Sequence, residues 1–493
     1  MAINFTYYPT SNRVPGVYVE MDPSQANTGT QLQSTLLIGQ ILAPPGTAVA
    51  DTPIEVQSLA QVLTLCGQGS ILAQMAQRYL ERDPFGDLWL LPLVDNPAGV
   101  ASTGTITVTG TATASGTLNI YIGGLRVQVG VNTGDTATVI GDAIKTAILN
   151  NDDMAVVPGT NTAGVLPVHA LNKGELGNDI KLIANYLGTA GGEHPVPGVF
   201  LSFVQPVGGT ANPSLNNGLG NLSSHPYDFI CTPYNDTASL DAVKNFLADD
   251  VGRWSWQEMI YGGAFCAYRG TLGQCTAFGN GRNDQHMSVM AFTNGAPDPL
   301  WIWATEYCAA SAASLRVDPG LPLQYINTTL QAAPVQYHWT LGERNTLLYD
   351  GMSTTRVGDD NTVIIERAAT TYQHNAAGAV DNSYLDVETM YGLMFVARDL
   401  SNYLLTRYAR KKLVSDTTPI LAGSNCVNAP MIKASVIMEY RALQTAGYVQ
   451  NAATFAKSVI VEDAGNGLVK ILAPVDLVNQ LRQIAILLQF RKS

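Results

Sequence analysis

Charged side chains are scarce in this sequence. Asp, Glu, Lys and Arg make up 13% of its 493 residues, against about a quarter in an average soluble chain. So little charge leaves little polar surface, which points to a surface covered by other copies of the chain. A large, well-filled monomer dressed in Ser, Thr and Asn is the other reading. Of the charges present, 39 are acidic and 27 basic, a net charge of −12; that argues against a nucleic-acid binder, which usually needs a basic face. Six cysteines are scattered with no CxxC pair, which argues against a disulfide framework or a zinc site and for buried free thiols in a reducing compartment. No apolar run approaches the roughly eighteen residues of a membrane span. Residues 1–10 lack the charged and apolar regions of a signal peptide, so the expectation is a soluble chain made in the cytoplasm.

Catalytic signatures are missing as well. The six histidines never pair at metal-ligand spacing, and neither HExxH nor GxSxG occurs. Gly67-Gln68-Gly69-Ser70 precedes a helical pattern but has no third glycine and no Gly-Lys-Ser/Thr, so a helix stop followed by an N-cap accounts for it better than a phosphate loop. Asp350-Gly351, Gly358-Asp359-Asp360-Asn361 and Asp381-Asn382 are turn formers; a weak structural cation is the alternative, although the EF-hand order fails. No metal and no cofactor is expected.

What is present is organised. The length accommodates roughly two to four domains. A strand at 34–40, helices at 58–66 and 71–82 and a strand at 87–94 open an α/β layer. From about residue 97 the texture turns to Thr, Gly, Val and Ile in alternation, with a two-residue hairpin around Gly123-Gly124, a helix at 136–149, and strands at 169–172, 179–186 and 199–206. This is an inserted β-rich domain, 97–206, expected to face outward. The α/β rhythm resumes with strands at 227–231, 259–268 and 287–292, helices at 237–251 and 271–278, and a covering helix at 299–316. Such alternation implies crossover connections and a largely parallel sheet. The last third carries a strand at 361–367, long helices at 385–413 and 430–446, and strands at 457–462 and 467–473. The fold class is therefore mixed α/β and multi-domain: an N-terminal arm (1–30), an α/β domain (31–96 and 207–345), the insert, a C-terminal α/β core domain (346–480) and a C-terminal arm strand (481–493).

Three segments stand out as candidate interaction sites. Val14, Pro15, Gly16, Val17, Tyr18 and Val19 form a β-branched, aromatic run. Ile484, Ala485, Ile486, Leu487, Leu488 and Phe490 form an apolar strand. Strands with unpaired backbone groups are templates for joining another sheet, so both runs are assigned to linking adjacent subunits. Arg407, Arg410, Lys411 and Lys412 form the dense basic cluster of an acidic chain. At the end of the long helix they offset the dipole; a partner with an acidic surface is the second reading.

Several stretches carry a family resemblance. They are Pro15-Gly16-Val17-Tyr18-Val19-Glu20, the run from Leu65-Cys66-Gly67 to Met75, the run from Leu171-Asn172-Lys173-Gly174 to Ile180, and Gly208-Gly209-Thr210-Ala211-Asn212-Pro213. Asp350-Gly351 and the region from Ala368 through Tyr384-Leu385-Asp386 join them. In this order they resemble the tail sheath proteins of contractile-tailed, Mu-like phages, over nearly the whole chain. The resemblance implies a structural subunit that stacks as hexameric rings around a tail tube and contracts to drive the tube through a host envelope. It implies terminal arms that add strands to sheets of neighbouring subunits, a homo-oligomer whose partners are tube, baseplate and tail terminator proteins, and no nucleic acid, membrane insertion or enzymatic activity. The location implied is the virion tail, assembled in the host cytoplasm. The basic cluster is the candidate tube contact. An arm-exchanging capsid-like protein, or an α/β enzyme with a β-domain appendage, are the alternatives.

Overall fold

The computed structural model describes residues 33–421 and 423–492. It opens with β1 (Thr35–Gln40), β2 (Ile54–Val56), α1 (Leu59–Cys66), α2 (Ile71–Arg82) and β3 (Leu88–Leu93). Both helices start where a serine can cap them: the Ser58 side chain accepts from the Gln61 amide and Ser70 from the Ala73 amide. Gly67, at φ +79°, stops α1 in a conformation that a side chain resists. All six residues of β1 are buried, as expected of a parallel strand covered on both faces.

The insert follows: β4 (Thr103–Gly110), β5 (Gly116–Ile122), β6 (Leu125–Val131), α3 (Ala137–Leu149), β7 (Val156–Pro158), β8 (Val165–Ala170), β9 (Leu182–Ala184) and β10 (Val199–Val207). It makes two antiparallel sheets, ordered β10-β4-β8-β7 and β6-β5-β9. The strand expected at 169–172 runs instead over Val165–Ala170, where alternate residues are buried against α3 and β4.

The chain then returns through α4 (Asn216–Gly220), β11 (Phe229–Cys231), α5 (Thr237–Leu247), β12 (Gly263–Gly270), α6 (Leu272–Asn280), β13 (Met287–Thr293) and α7 (Leu300–Val317). The main sheet has the order β13-β12-β11-β1-β3-β2, parallel except for the edge strand β2. Two expected bounds shift. The helix of 237–251 ends at Leu247, because the Arg253 amide turns back onto the Phe246 carbonyl at 2.9 Å. The strand of 259–268 starts only at Gly263, because Met259, Tyr261 and Gly262 all take positive φ.

Among its five parallel strands the sheet follows the doubly wound order 2-1-3-4-5, with its switch point between β1 and β11. Ligands of such sheets sit at that point, outside the carboxyl ends of the strands. Here the root of the insert fills the neighbourhood. Gln40 Nε2 donates to Asp95 Oδ1 at 2.6 Å and to the Lys173 carbonyl at 2.7 Å. Asn172 Nδ2 donates to the Ile41 carbonyl at 3.0 Å, and the Lys173 amide to Asp95 Oδ2 at 3.0 Å. Further along, Arg269 pairs with Asp179 at 2.6 Å, and Gln331 Nε2 reaches the Gly124 carbonyl at 2.7 Å. The insert is thus welded to the layer, and its buried residues, Ile106 and Ile144 among them, belong to the same hydrophobic core as Leu37 and Phe265.

The remainder comprises β14 (Ile326–Asn327), α8 (Leu341–Tyr349), β15 (Thr354–Val357), β16 (Val363–Arg367), α9 (Val387–Tyr408), β17 (Lys412–Leu413), β18 (Cys426–Val427), α10 (Ala429–Ala446), α11 (Ala452–Ser458), β19 (Ile460–Asp463) and β20 (Val469–Leu472). The sheet β14-β16-β15 leans on β13 through bridges at Met290–Ser353 and Ser288–Thr370. A second core, built on Val396, Val436, Tyr440 and Phe455, lies between α9, α10 and α11. Residues up to Met394 pack with the first core, so α9 is common to both. The helix expected over 385–413 stops at Tyr408, because Lys412 and Leu413 pair in parallel with Cys426 and Val427.

Candidate subunit-linking site

The C-terminal segment is held at its root and exposed beyond it. Asp476 is gripped by three residues: its amide donates to Tyr440 Oη at 3.0 Å, and its carboxylate accepts from Gln450 Nε2 at 3.0 Å and Asn451 Nδ2 at 2.7 Å. Leu477 bridges Val449. Arg482 is the last anchor. Its Nη2 lies 2.9 Å from both Asp386 Oδ1 and Glu388 Oε2, while the Leu481 carbonyl accepts from Gln324 Nε2 at 2.9 Å.

This anchor is a buried charge cluster. The Glu388 side chain is fully inaccessible and that of Arg482 is 14% exposed. Arg367 holds the other side of Asp386, Nε to Oδ1 at 2.8 Å and Nη2 to Oδ2 at 3.0 Å. Glu388 also accepts from the Leu323 amide. Burial pushes the Glu388 carboxyl above the usual carboxylate range, and Arg482 pulls it partly back. One cation between two carboxylates fixes where the chain leaves the body.

After Arg482 no hydrogen bond or ion pair ties 483–492 to the rest among the described residues, and no strand forms in the lone chain. A strand needs a ladder partner, and among the described residues none runs alongside. Ile484 is 74% exposed, Leu487 and Leu488 85%, and Phe490 90%. Alternation sorts this segment into two faces: Ile484, Ile486, Leu488 and Phe490 on one, Gln483, Ala485, Leu487 and Gln489 on the other. Covering such side chains is worth about 1.5–3 kcal/mol each, so the segment has strong reason to be covered.

A complementary edge lies close in sequence. The hairpin of β19 and β20 is only two strands wide and packs Val461 and Val469 on the second core. It shows Ile460 at 53%, Leu468 at 53% and Leu472 at 62% exposure. Sequence reasoning found these two strands but not that they form a sheet of their own, and it missed Arg482 as an anchor. The available signal was that Arg482 is the lone charge between Asp476 and Arg491.

The other candidates fall elsewhere. Val14, Pro15, Gly16, Val17, Tyr18 and Val19 lie outside the described residues. Arg407 sits in the last turn of α9 with its guanidinium 5.9 Å from the Tyr403 ring. Arg410 and Lys411 follow in the exposed turn, and Lys412 is on β17. Lys411 Nζ donates to Asn425 Oδ1 at 3.2 Å, and none of the four forms an ion pair among the described residues.

The comparisons with known proteins bear on this arrangement. The tail sheath protein central domain family matches residues 208–371, and the tail sheath C-terminal domain family matches 379–491. The chain is 35% identical over 494 residues to the Mu-like prophage FluMu tail sheath protein of Haemophilus influenzae, covering 99% of this chain and all of that one. This chain belongs to the phage tail sheath protein family. It is a structural component of a contractile tail, and the second match runs through Arg482 and the apolar segment. The insert, 97–206, lies outside both family matches. Among solved structures, the chain is similar to the sheath tail protein of Desulfitobacterium hafniense (12% identity, 94% of this chain and 97% of that one, TM-score 0.49). It is also similar to the sheath tail protein of Listeria innocua (12% identity, 90% and 92%, TM-score 0.46).

Proposed function

We propose that this sheath subunit polymerises as stacked hexameric rings around a tail tube, and that contraction of the polymer drives the tube through a host envelope. The observation that carries the reading is the apolar segment beyond Arg482, anchored at its root and bare along its length. Segment 484–490 adds a strand to the open hairpin of β19 and β20 on an adjacent copy, and the run 14–19 contributes a second strand between copies. Main-chain bonds and alternate side-chain pockets are the way such strand addition gains affinity and register. The exposed cations Arg407, Arg410, Lys411 and Lys412 face the tube. The subunit acts without catalysis of its own; the insert's occupation of the sheet's switch point supports this. It assembles in the host cytoplasm with tube, baseplate and tail terminator proteins and resides in the virion tail.

Electron microscopy of the concentrated full-length chain tests the reading: tubes or rings of uniform width are expected. Removing residues 483–493 should leave a folded chain, by circular dichroism, that no longer polymerises. Tubes from the truncated chain, or only small discrete oligomers from the full-length one, overturn the proposal.

A further inference from the structure

The four-stranded sheet of the insert is uncharged along every strand: β10, β4, β8 and β7 hold no Asp, Glu, Lys or Arg. One of its faces is turned outward. There Phe200, Ser202 and Val204 of β10 lie opposite Thr109, Thr107 and Thr105 of β4, with Phe200 70% exposed and Val204 59%. The other face, carrying Ile106, Val108, Leu166 and Val168, is buried in the core.

β10 is also an edge. It pairs with β4 on one side, and among the described residues no backbone hydrogen bond reaches 200–204 from the other. Folded proteins normally keep an edge strand short, charged, or broken by a bulge or a proline. The opposite edge, β7, obeys this by being three residues long. β10 runs for nine, and its bulge and Pro206 come only after Val204. From Phe200 to Val204 it is regular, uncharged and unguarded. In a chain of net charge −12, copies repel one another over most of their surface. An uncharged edge is where they can meet.

We infer that two copies of the chain join through this edge, β10 against β10, antiparallel about a two-fold axis at Ser202, so that two four-stranded sheets become one of eight. The register follows from side-chain alternation, because residues opposed across a ladder share a face of the sheet. Centring on Ser202 sets Phe200 against Val204 of the second copy on the outer face and Leu201 against Phe203 on the inner one. Apolar then meets apolar at each flanking position, and aromatic with β-branched is a favourable cross-strand pair. Centring on Leu201 instead would set Phe200 against a serine. The contact is self-complementary and closes at two copies. Subunits stacked in one direction have no two-fold between them, so the pair forms between free copies and uses neither arm.

Ser202→Cys in a Cys426→Ser background tests this, with the full-length chain in dilute solution oxidised by copper–phenanthroline and run on a non-reducing denaturing gel. Opposed Cα atoms of an antiparallel pair lie about 4.5–5.5 Å apart, within disulfide reach, so a covalent dimer is expected. Thr107→Cys, one strand further in, would sit about 14 Å from its counterpart and should stay single. Phe200→Lys added to the Ser202→Cys chain should slow dimer formation roughly tenfold; Phe200 is exposed, so the fold survives. Val139→Lys, at an exposed apolar residue of α3 (52%), should leave the rate unchanged. No covalent dimer from Ser202→Cys, an equal one from Thr107→Cys, or an equal effect of Val139→Lys overturns the proposal and leaves the edge to a different chain. The gel reads covalent pairs whether or not rings form, so its failure is distinct from failure of the sheath reading.

Discussion

Replacing Arg482 with glutamine removes the cation that faces both Asp386 and Glu388 at the root of the C-terminal segment. Asp386 keeps Arg367; among the described residues Glu388 keeps its bond from the Leu323 amide and no cation. Breaking a buried pair by deleting one partner costs about 3–5 kcal/mol, most of it from the charge left behind. Arg482 is 14% exposed and glutamine can still donate one hydrogen bond, so about 3 kcal/mol at pH 7.5 is the expectation. The deficit depends on pH. Glu388 already sits above the usual carboxylate range because of its burial, and loss of Arg482 raises it further. The folded variant then holds a proton that the unfolded chain sheds above about pH 4.3. Its stability is fullest below that unfolded value and falls as pH rises through the folded one, so the gap to the native chain narrows from pH 7.5 to pH 5. Urea unfolding followed by far-ultraviolet circular dichroism at the two pH values measures this. Glu388→Gln in the Arg482→Gln background should recover most of the loss, as a double-mutant cycle with a coupling above about 1.5 kcal/mol. A deficit under about 1 kcal/mol at pH 7.5, or one unchanged at pH 5, refutes the reasoning.

Asp399 and Glu439 form a second carboxyl pair, both above the usual range through burial first; Asp399 raises Glu439 further, while the hydrogen bond from Glu439 pulls Asp399 partly back. Their stabilising contribution is complete at acid pH and lost as pH rises through the folded values, so Glu439→Gln should gain up to about 1 kcal/mol at pH 7 and nothing at pH 4. Thermal melts at both pH values check it, and a loss at pH 7 counts against the pair. Gly279 of α6 packs so closely on the Asp350 carbonyl oxygen that a Cβ would overlap it; Gly279→Ala should cost about 1–3 kcal/mol in chemical denaturation. Of the six thiols, Cys426 alone is partly exposed, and burial pushes Cys66 and Cys275 up to about 12. Ellman's reagent should therefore titrate one thiol in the native chain and six in guanidinium; rapid reaction of a second native thiol contradicts the burial pattern.

The parts of the fold that could be read in advance are those whose cause is local. β1 and β13 announce themselves because strands buried on both faces are continuous apolar runs. Ser58, Ser70 and the Pro430–Gly447 frame mark helix ends through bonds made within a few residues. The parts that escaped are settled at long range. β2, β7 and β14 span two or three residues, too short for a period to register. The weld of the insert rests on Asp179 meeting Arg269 and on Asn172 meeting Asp95, pairs separated by 90 and 77 residues. At the candidate site, the apolar segment was visible as a pattern. Its anchor was not, since Arg482 meets carboxylates 94 and 96 residues away.

The shared helix α9 bears on how force travels through the subunit. Its 22 residues make a rod of about 33 Å, with Met394 seated in one core and Val396 in the other. Twisting the two cores against each other strains the backbone hydrogen bonds in the interior of that rod. The helix joins the two cores, so a load applied to either has a continuous path to the other. In the proposed assembly the compliance between such bodies falls in the links, among them residues 483–492, which no hydrogen bond or ion pair ties to the rest among the described residues. On the proposed strand-addition reading, a sheath of this subunit deforms at its stitches and leaves its bricks intact.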